Sequence, residues 1–243
     1  MKTTTLITGA GRGIGLEIAN IFASKRQDLV LVVRKKKQIK KLLELEKKYK
    51  INIKIFVGDL RNENFIRKLD KLVPKVDNLI NNAGGENIKD FIKINKRDLD
   101  DMIAVNLKAV FLISQIFSKK MIKKKIKGCI VSLSSQLGHI GAYNRSIYCM
   151  TKFGLEGLTK AMAMDLGKFG IRVNTVSPTK TIIDENELLR KKKRLNIIKK
   201  KIPLKKFSTT KQIASIVYFL TTESAASITG TSIISDGGWT AGK

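Results

Sequence analysis

The sequence predicts an α/β fold in which seven parallel strands form one doubly wound sheet with helices on both faces. Apolar runs of strand length alternate along the chain with longer stretches of helical pattern, which is typical of strands joined by helical crossovers. These runs are apolar at almost every position, as expected of strands covered on both faces. With 43% hydrophobic residues and no linker or internal repeat, residues 1–243 are predicted to form a single domain.

The predicted strands and helices alternate until the sixth strand, which two helices follow. Strands are predicted at 3–8, 29–33, 51–57, 76–81, 129–134, 171–176 and 232–235. Helices are predicted at 14–25, 37–50, 62–73, 98–125, 147–168, 185–201 and 210–221. The segment 179–203 is the most irregular and charged part of the chain, and we interpret it as a lid near a site.

The formal net charge of +28 has two interpretations. It could be the electrostatic footprint of a protein that binds nucleic acid, a membrane surface or an acidic partner. It could also reflect compositional drift, since Lys, Ile and Asn are all abundant. The basic runs at 34–37, 123–125, 190–194 and 199–201 are scattered and lack interleaved aromatic residues. We therefore expect solvated surfaces and no nucleic-acid site.

The sequence also bears on the cellular compartment. No apolar run approaches the length of a membrane span, and the N-terminal stretch MKTTTLITGAG has no separate apolar region of a signal peptide. Cys129 and Cys149 have no metal-ligand spacing and indicate a reducing compartment. We expect a cytoplasmic protein that neither contacts membranes nor binds a metal.

A glycine-rich stretch, LITGAGRGIG, joins the first predicted strand to the first predicted helix. Gly9, Gly13 and Gly15 let the backbone approach an anionic ligand, and the N-terminus of the helix offers free N–H groups to a pyrophosphate. A tight structural turn is the alternative. The position at the first strand–helix junction favours a dinucleotide site.

The end of the second strand, VLVVRKKKQ, bears on which dinucleotide binds. An NAD site usually has an acidic residue here for the ribose 2′-hydroxyl, but Val33 occupies that position and Arg34 and Lys35 follow. Cations favour the additional phosphate of NADP, and Arg12 in the glycine turn could contact the same phosphate. The alternative is that Arg34 only begins another run of basic residues.

Tyr148 and Lys152 lie four positions apart in SIYCMTKFG, on one face of a predicted helix. In a chain so rich in lysine, the pair could arise by chance. Its chemistry is that of a proton donor and acceptor, because a nearby ammonium lowers the tyrosine pKa from its reference of about 10. The rest of the chain must decide between these interpretations.

Several motifs appear together and in order. They are TGAGRGIG at 8–15, GDL at 58–60, NNAG at 81–84, VNL at 105–107, SLSS at 132–135, YCMTK at 148–152, IRVNTVSP at 171–178 and DGGW at 236–239. Over essentially the whole chain they resemble the single-domain short-chain dehydrogenase/reductase family, which has a Rossmann fold. Within it, the chain looks most similar to 3-oxoacyl-(acyl-carrier-protein) reductases and to sugar or polyol dehydrogenases.

The resemblance implies four catalytic residues: Asn106, Ser135, Tyr148 and Lys152. Tyr148 would exchange the proton, Lys152 would lower its pKa and contact the nicotinamide ribose, and Ser135 would hold the substrate carbonyl. Asn106 would support a water-linked proton relay behind the lysine. Ser134 is the alternative if the serine register is shifted by one residue. We interpret His139 as a loop residue near the rim of the pocket.

The resemblance also implies a set of cofactor contacts. They are Gly9, Gly11, Arg12, Gly13, Ile14, Gly15, Arg34, Lys35, Asp59, Leu60, Asn82, Ala83, Gly84, Tyr148, Lys152, Pro178 and Thr181. Asp59 would meet the adenine, residues 82–84 would line the ribose, and Thr181 would approach the nicotinamide amide, while Asn81 would tie strands together. Thr179 replaces the usual glycine after Pro178, which leaves the geometry of this turn open.

The implied activity is NADP(H)-dependent hydride transfer between the nicotinamide and a ketone or secondary alcohol, with NAD(H) as the alternative cofactor. The preferred substrate is a 3-oxoacyl group on an acyl carrier, whose acidity would suit the basic surface. A sugar, polyol or other small hydroxy compound is the alternative substrate. A non-catalytic nucleotide sensor or nucleic-acid-binding relative is a third hypothesis. A homotetramer built on the two long helices is also implied, with small residues at Gly154, Gly157, Ala161 and Ala163.

Overall fold

The structure, a computed structural model, describes residues 2–182 and 192–242. The strands are β1 Thr4–Thr8, β2 Asp28–Val33, β3 Ile53–Val57, β4 Asn78–Asn81, β5 Cys129–Leu133, β6 Arg172–Pro178, β7 Thr181–Ile182, β8 Ser208–Thr209 and β9 Ser232–Ser235. The helices are α1 Gly13–Ser24, α2 Ile39–Tyr49, α3 Glu63–Leu72, α4 Lys96–Ile103, α5 Ala109–Lys123, α6 Ser146–Gly167, α7 Lys192–Lys200 and α8 Thr210–Leu220.

Seven of the strands form one sheet in the order β3-β2-β1-β4-β5-β6-β9, and every pairing in it is parallel. The predicted fold class is therefore confirmed. The chain runs outward from β1 in one direction as far as β3 and then crosses to β4 on the other side. Such a switch point leaves a crevice at the carboxyl ends of the strands, where ligands bind in open α/β sheets.

Apolar side chains fill a core on each face of the sheet, and β2 shows how. Along this strand, Leu29, Leu31 and Val33 belong to one core, and Val30 and Val32 to the other. The first core contains buried residues of α1, α2 and α8, and the second contains residues of α3, α5 and α6. Burial on both faces explains why the strand is apolar at every position after the first.

The structure refines several predicted elements. The helix predicted at 98–125 is divided by a π-helical turn, Ala104–Lys108, which separates α4 from α5. A short parallel pair, β7 and β8, was not predicted. In the predicted lid, residues 183–191 lie outside the described residues, and so does the start of the helix predicted at 185–201. Its described part is helical as α7.

One helical stretch bears on the expectation about membranes. Within the described residues, the helical stretch Lys96–Lys123 is long and apolar enough, by length and composition alone, to cross a membrane. However, Ile113, Phe117 and Met121 of α5 are fully or almost fully buried in the second core. The stretch is apolar because it packs against the sheet, as a core helix does.

Candidate active site

The turn between β1 and α1 brings glycine backbone to the carboxyl edge of the sheet. Gly9 and Gly13 have φ angles of +68° and +55°, which glycine adopts without strain. A Cβ on Gly9 would lie 2.9 Å from the Cα of Ala83, and a Cβ on Gly15 would lie 2.3 Å from the Gly9 oxygen. The turn therefore excludes side chains at these positions and begins a helix whose first N–H groups suit a pyrophosphate.

Residues that follow β4 hold this turn through hydrogen bonds. The side-chain amide of Asn82 donates hydrogen bonds to the Thr8 oxygen at 3.0 Å and to the Gly9 oxygen at 3.1 Å. These bonds use the side-chain nitrogen of Asn82 to hold the turn. Ala83, whose N–H donates to the Thr8 hydroxyl, and the exposed Gly84 continue the same edge. The prediction for Asn81 is confirmed, because its amide links β4 to the hydroxyl of Ser132 on β5 at 3.3 Å.

The far end of the turn is basic. Arg12, Arg34 and Lys35 are all exposed, whereas Val33, at the position where an NAD site carries an acid, is buried in the core. Gly11 lies against the side chain of Gln38, and Ile14 packs against the first core. Exposed cationic side chains therefore flank the glycine turn at this end.

Asp59 and Leu60 follow β3 but differ in exposure, because the Asp59 carboxylate is partly exposed and the Leu60 side chain is buried. The Asp59 carboxylate is held by Arg61, with an Nη2–Oδ2 distance of 2.7 Å, and this hydrogen bond lowers the pKa of the carboxyl group. Leu60 is buried in the second core. Its side chain therefore cannot reach a ligand, and only its backbone is available to one.

Three of the predicted catalytic side chains converge at the carboxyl ends of β5 and β6. Lys152 is 7% exposed, and its Nζ donates a hydrogen bond of 2.6 Å to the Leu133 oxygen at the end of β5. It also lies 5.6 Å from the centre of the Tyr148 ring. Ser135 is buried next to β5 and forms a hydrogen bond that lowers the pKa of Tyr148. A Cβ on Gly84 would lie 4.0 Å from Nζ, so the lysine side chain lies next to the segment that follows β4.

The pKa values of this pair differ from the expectation. Burial raises the pKa of Tyr148 above its ordinary value, and the hydrogen bond with Ser135 opposes this only in part. Burial also lowers the pKa of Lys152 to about 8. Burial disfavours the charged form of both groups, and the lysine ammonium points at a carbonyl oxygen. In this state Tyr148 is therefore a protonated donor.

The two adjacent serines have different surroundings. Ser135 Oγ accepts a hydrogen bond from the Leu137 N–H at 3.1 Å and interacts with Tyr148. Ser134 Oγ is buried without a hydrogen-bond partner among the described residues, and a Cβ on Gly138 would lie 2.9 Å from it. The geometry favours Ser135 as the residue that faces a substrate.

Asn106 lies in the π-helical turn and clamps the chain after β4. Its Oδ1 accepts from the Gly85 N–H at 2.9 Å, and its Nδ2 donates to the Gly85 oxygen at 3.1 Å. Nδ2 also lies 3.1 Å from the hydroxyl of Thr151, next to Lys152 in the chain. π-Helical turns are frequent at functional sites. This one directs an amide toward the side-chain hydroxyl of Thr151, the residue before Lys152.

The turn after Pro178 accommodates threonine where the family usually has glycine. Thr179 does not have a positive φ, so this turn does not need a glycine. Its N–H donates to the Ser235 oxygen, while its buried Oγ1 has no partner in the described part of the chain. The Thr181 hydroxyl donates to the Thr179 oxygen at 3.2 Å. Within the described residues, the Thr179 hydroxyl is therefore an unpaired polar group inside this turn.

The sequence reasoning missed Glu156, a buried carboxylate one helical turn beyond Lys152. It accepts hydrogen bonds from Thr175 at 2.7 Å and Ser177 at 3.0 Å, and it lies 3.3 Å from Nε2 of His139. His139 follows the short helix after β5 and joins this mostly buried polar cluster. No three His, Cys, Asp or Glu side chains in the described ranges are grouped as a metal site would require.

Substitution of Glu156 with Gln is expected to weaken activity on the alkaline side of the pH profile. The Glu156 charge raises the pKa of Lys152 against the effect of burial, so its removal lowers that pKa further below about 8. We expect a loss of about two- to threefold in reductive turnover at pH 8 and little change at pH 6.5, because only near its pKa does the protonated fraction of Lys152 respond to a further fall. Glu44→Gln on α2, an exposed position, is the control. An unchanged alkaline limb would contradict the electrostatic role.

A parallel sheet with a glycine turn at its switch point, next to a tyrosine–lysine pair, defines the class of dinucleotide-dependent oxidoreductases. The family model described as Enoyl-(Acyl carrier protein) reductase matches residues 9–240. The chain belongs to the short-chain dehydrogenase/reductase family. It is therefore an oxidoreductase acting on CH–OH and C=O groups with NAD(P)(H), which confirms the resemblance.

Similar proteins cover almost the whole chain. The 3-oxoacyl-[acyl-carrier-protein] reductase of Buchnera aphidicola is 34% identical, over 98% of this chain and 97% of that protein. The L-xylulose reductase of Caenorhabditis elegans is 31% identical, over 96% and 94%. A solved structure, 4-hydroxyisoleucine dehydrogenase complexed with NADH, is 33% identical, covers 100% of both chains and has a TM-score of 0.90. Both predicted kinds of substrate thus occur among the relatives.

Proposed function

We propose that this protein catalyses NADP(H)-dependent reduction of a ketone, or the reverse oxidation of a secondary alcohol. The observation that carries the proposal is the convergence of Tyr148, Ser135 and Lys152 at the carboxyl edge of the sheet. The cofactor would lie along this edge, held by the glycine turn, by the backbone at residues 83–84 and by Lys152. The residues beyond Pro178, including Thr181, would hold its nicotinamide end.

In the proposed mechanism, the glycine turn and Lys152 would hold a dinucleotide that, when bound, would supply the hydride for the carbonyl carbon. Tyr148 donates its phenolic proton to the carbonyl oxygen, so that one hydride and one proton convert the ketone to an alcohol. Ser135 donates a hydrogen bond to the same oxygen and positions it. Because burial raises the pKa of Tyr148, its phenol carries the required proton at neutral pH. Lys152 and Asn106 would return a proton to Tyr148 after turnover.

The preference for NADP(H) is supported by the exposed cations Arg12, Arg34 and Lys35 of this chain. The relatives do not all share it, because 4-hydroxyisoleucine dehydrogenase is complexed with NADH. Substitution of Arg34 with Ala is expected to raise the KM for NADPH about tenfold and to leave that for NADH within twofold, because a charge-assisted phosphate contact is lost. Exposed Lys47→Ala on α2 is the control. Equal effects on both cofactors would contradict a phosphate contact.

Two substrate classes remain for this reaction. A 3-oxoacyl thioester is supported by the acyl-carrier-protein reductase relatives and by the basic surface. A small hydroxy compound is supported by the L-xylulose reductases and by 4-hydroxyisoleucine dehydrogenase. The mostly buried guanidinium of Arg145 near Tyr148 is a specific observation for those members of the second class that carry a carboxylate, because neither a neutral thioester nor a neutral sugar offers it a counter-ion.

We also propose a homotetramer formed by one domain per chain, located in the cytoplasm and without nucleic-acid binding. Large apolar side chains are exposed on the two long helices: Phe111 on α5, and Met150, Phe153 and Met164 on α6. Gly157 and Ala161 are open on the same part of α6. Gly154 and Ala163 instead pack within the chain, against Leu107 and the second core, so the predicted small residues divide between the two roles.

The test of the proposed function is to follow NADPH and NADH oxidation in parallel with acetoacetyl thioester, keto-sugars and keto acids. Turnover that prefers NADPH with any of these ketones supports the reaction and the cofactor. Turnover only with NADH would keep the reaction and overturn the cofactor preference. Tight NADPH binding without turnover of any ketone would favour the nucleotide-sensing hypothesis.

A further inference from the structure

A second cation lies close to Tyr148. Arg145 stands one helical turn before Tyr148, at the N-terminal boundary of α6, and its side chain is 15% exposed. Its Nη1 donates a hydrogen bond of 3.1 Å to Oε2 of Glu86. Both charges act on the tyrosine, since Arg145 lowers its pKa and Glu86 raises it. The pair is thus within electrostatic reach of the proposed proton donor.

The guanidinium of Arg145 uses little of its capacity for hydrogen bonds. It carries five N–H donors, and among the described residues its side chain has one hydrogen-bond acceptor, Glu86. The Glu86 side chain is 63% exposed, so this carboxylate can turn into water at little cost. A mostly buried guanidinium with free donors and a weakly held partner is suited to bind another planar carboxylate.

Backbone contacts hold the two chain segments that carry the pair. Asn106 binds both backbone groups of Gly85, the residue before Glu86. The N–H of Lys89 donates to the oxygen of Asn144, the residue before Arg145, at 3.1 Å. The backbone segments that carry Arg145 and Glu86 are therefore held in place before any substrate arrives, and the exposed Glu86 side chain is free to move.

We propose that Arg145 binds a carboxylate of the substrate, and that the substrate is a small oxo acid or the corresponding hydroxy acid. The inference rests on the proposed function, because the acid must present its carbonyl to Tyr148 and Ser135 while its carboxylate pairs with Arg145. Arg145 directly precedes α6 and Tyr148 lies in its first turn, so both groups lie at the same end of the helix, where one short acid can contact both. Between turnovers the guanidinium is paired with Glu86. The substrate carboxylate displaces the Glu86 carboxylate when it binds.

The test uses binding as well as turnover. The Tyr148→Phe protein with NADPH bound is titrated with acetoacetate and levulinate and with their methyl esters, following the fluorescence of NADPH. The same titrations are made on double variants, in which Tyr148→Phe is combined with Arg145→Gln, Arg145→Lys, Glu86→Gln or Arg67→Gln. Arg67, whose side chain is 72% exposed on α3, is the matched control. Reduction of each compound is measured with Tyr148 intact.

We expect at least one acid to bind about tenfold or more tightly than its ester. Arg145→Gln should weaken binding of that acid by about 10- to 100-fold, as expected for charge-assisted hydrogen bonds, and leave the ester within twofold. Arg145→Lys should retain part of the preference, and Glu86→Gln should strengthen acid binding by removing the competing carboxylate. Arg67→Gln should change nothing.

Equal binding of acids and esters, or equal weakening of both by Arg145→Gln, would overturn the proposal and leave Arg145 as a link between two loops. The proposed function fails separately. A preference for the acid without reduction by NADPH or NADH would keep the carboxylate site and reject the reaction. Reduction of ketones without any preference for the acid would keep the reaction and reject the carboxylate site.

Discussion

Substitution of Tyr148 with Phe is expected to lower the rate of ketone reduction by about a thousandfold or more, within the range for loss of a general acid. The phenylalanine retains the ring that packs 5.6 Å from the Lys152 Nζ but lacks the proton donor. Binding of NADPH should change by less than twofold, since the glycine turn and Lys152 remain. Steady-state kinetics and NADPH fluorescence titration measure the two effects.

The matched control is Tyr143→Phe, because Tyr143 is 97% exposed and lies close in sequence. It should leave both the rate and NADPH binding unchanged. If the Tyr148→Phe protein retained full activity, the assignment of the proton donor would be wrong. If it lost NADPH binding as well as activity, the loss of rate would report on the cofactor and not on the proton.

Substitution of Lys152 with Met is expected to abolish activity and to stabilise the fold at neutral pH. Burial lowers the Lys152 pKa from 10.5 to about 8, so keeping the ammonium inside costs about 3 kcal/mol at pH 7. Lys152→Met also leaves the Leu133 oxygen without this donor, which offsets about 1–2 kcal/mol of the gain. A net gain of about 1–2 kcal/mol should raise Tm by about 2–4 °C per kcal/mol.

The pH dependence of the stability difference between Lys152→Met and the parent protein provides an independent check. Below pH 8 the lysine is protonated in both the folded and the unfolded chain, so the cost of the buried charge is fully present. Between about 8 and 10.5 only the unfolded chain binds the proton, which favours folding as pH rises. The advantage of Lys152→Met should therefore shrink as pH rises from 8 toward 10.5 in denaturant titrations.

Lys160→Met, an exposed substitution on the same helix, is the control and should leave stability and activity nearly unchanged. A Lys152→Met protein that is less stable than the parent at pH 7 would contradict the cost assigned to the buried ammonium. Retained activity in that protein would contradict its place in the site.

The glycine turn and the Tyr148–Lys152 pair could be predicted because their geometry is local. Four residues along a helix bring two side chains together whatever surrounds them, and a strand–turn–helix junction places its backbone donors by itself. The seven strands were predicted for a similar reason, since burial on both faces makes each run apolar. Asn106 and Ser135 needed the family resemblance, because their sequence spacing alone does not show what they face.

The Glu156 cluster could not be read from the sequence. His139, Glu156, Ser177 and Ser232 come from four separate segments, which the order β5-β6-β9 brings together. The Arg145–Glu86 pair joins residues 59 positions apart, and basic and acidic residues elsewhere in the chain gave no reason to select these two. Side chains of this kind are identified only by what they contact.

By itself, then, the sequence determined the order of strands and helices, the dinucleotide turn and the spacing of the proton-handling pair. Only the tertiary structure decided that Tyr148 has a raised pKa and Lys152 a pKa of about 8, because burial is set by distant segments that pack over them. It also placed the Leu60 side chain in the core and gave Thr179 a turn that does not require glycine. Periodicity and spacing are local properties of the chain, whereas burial and charge pairing depend on its three-dimensional path.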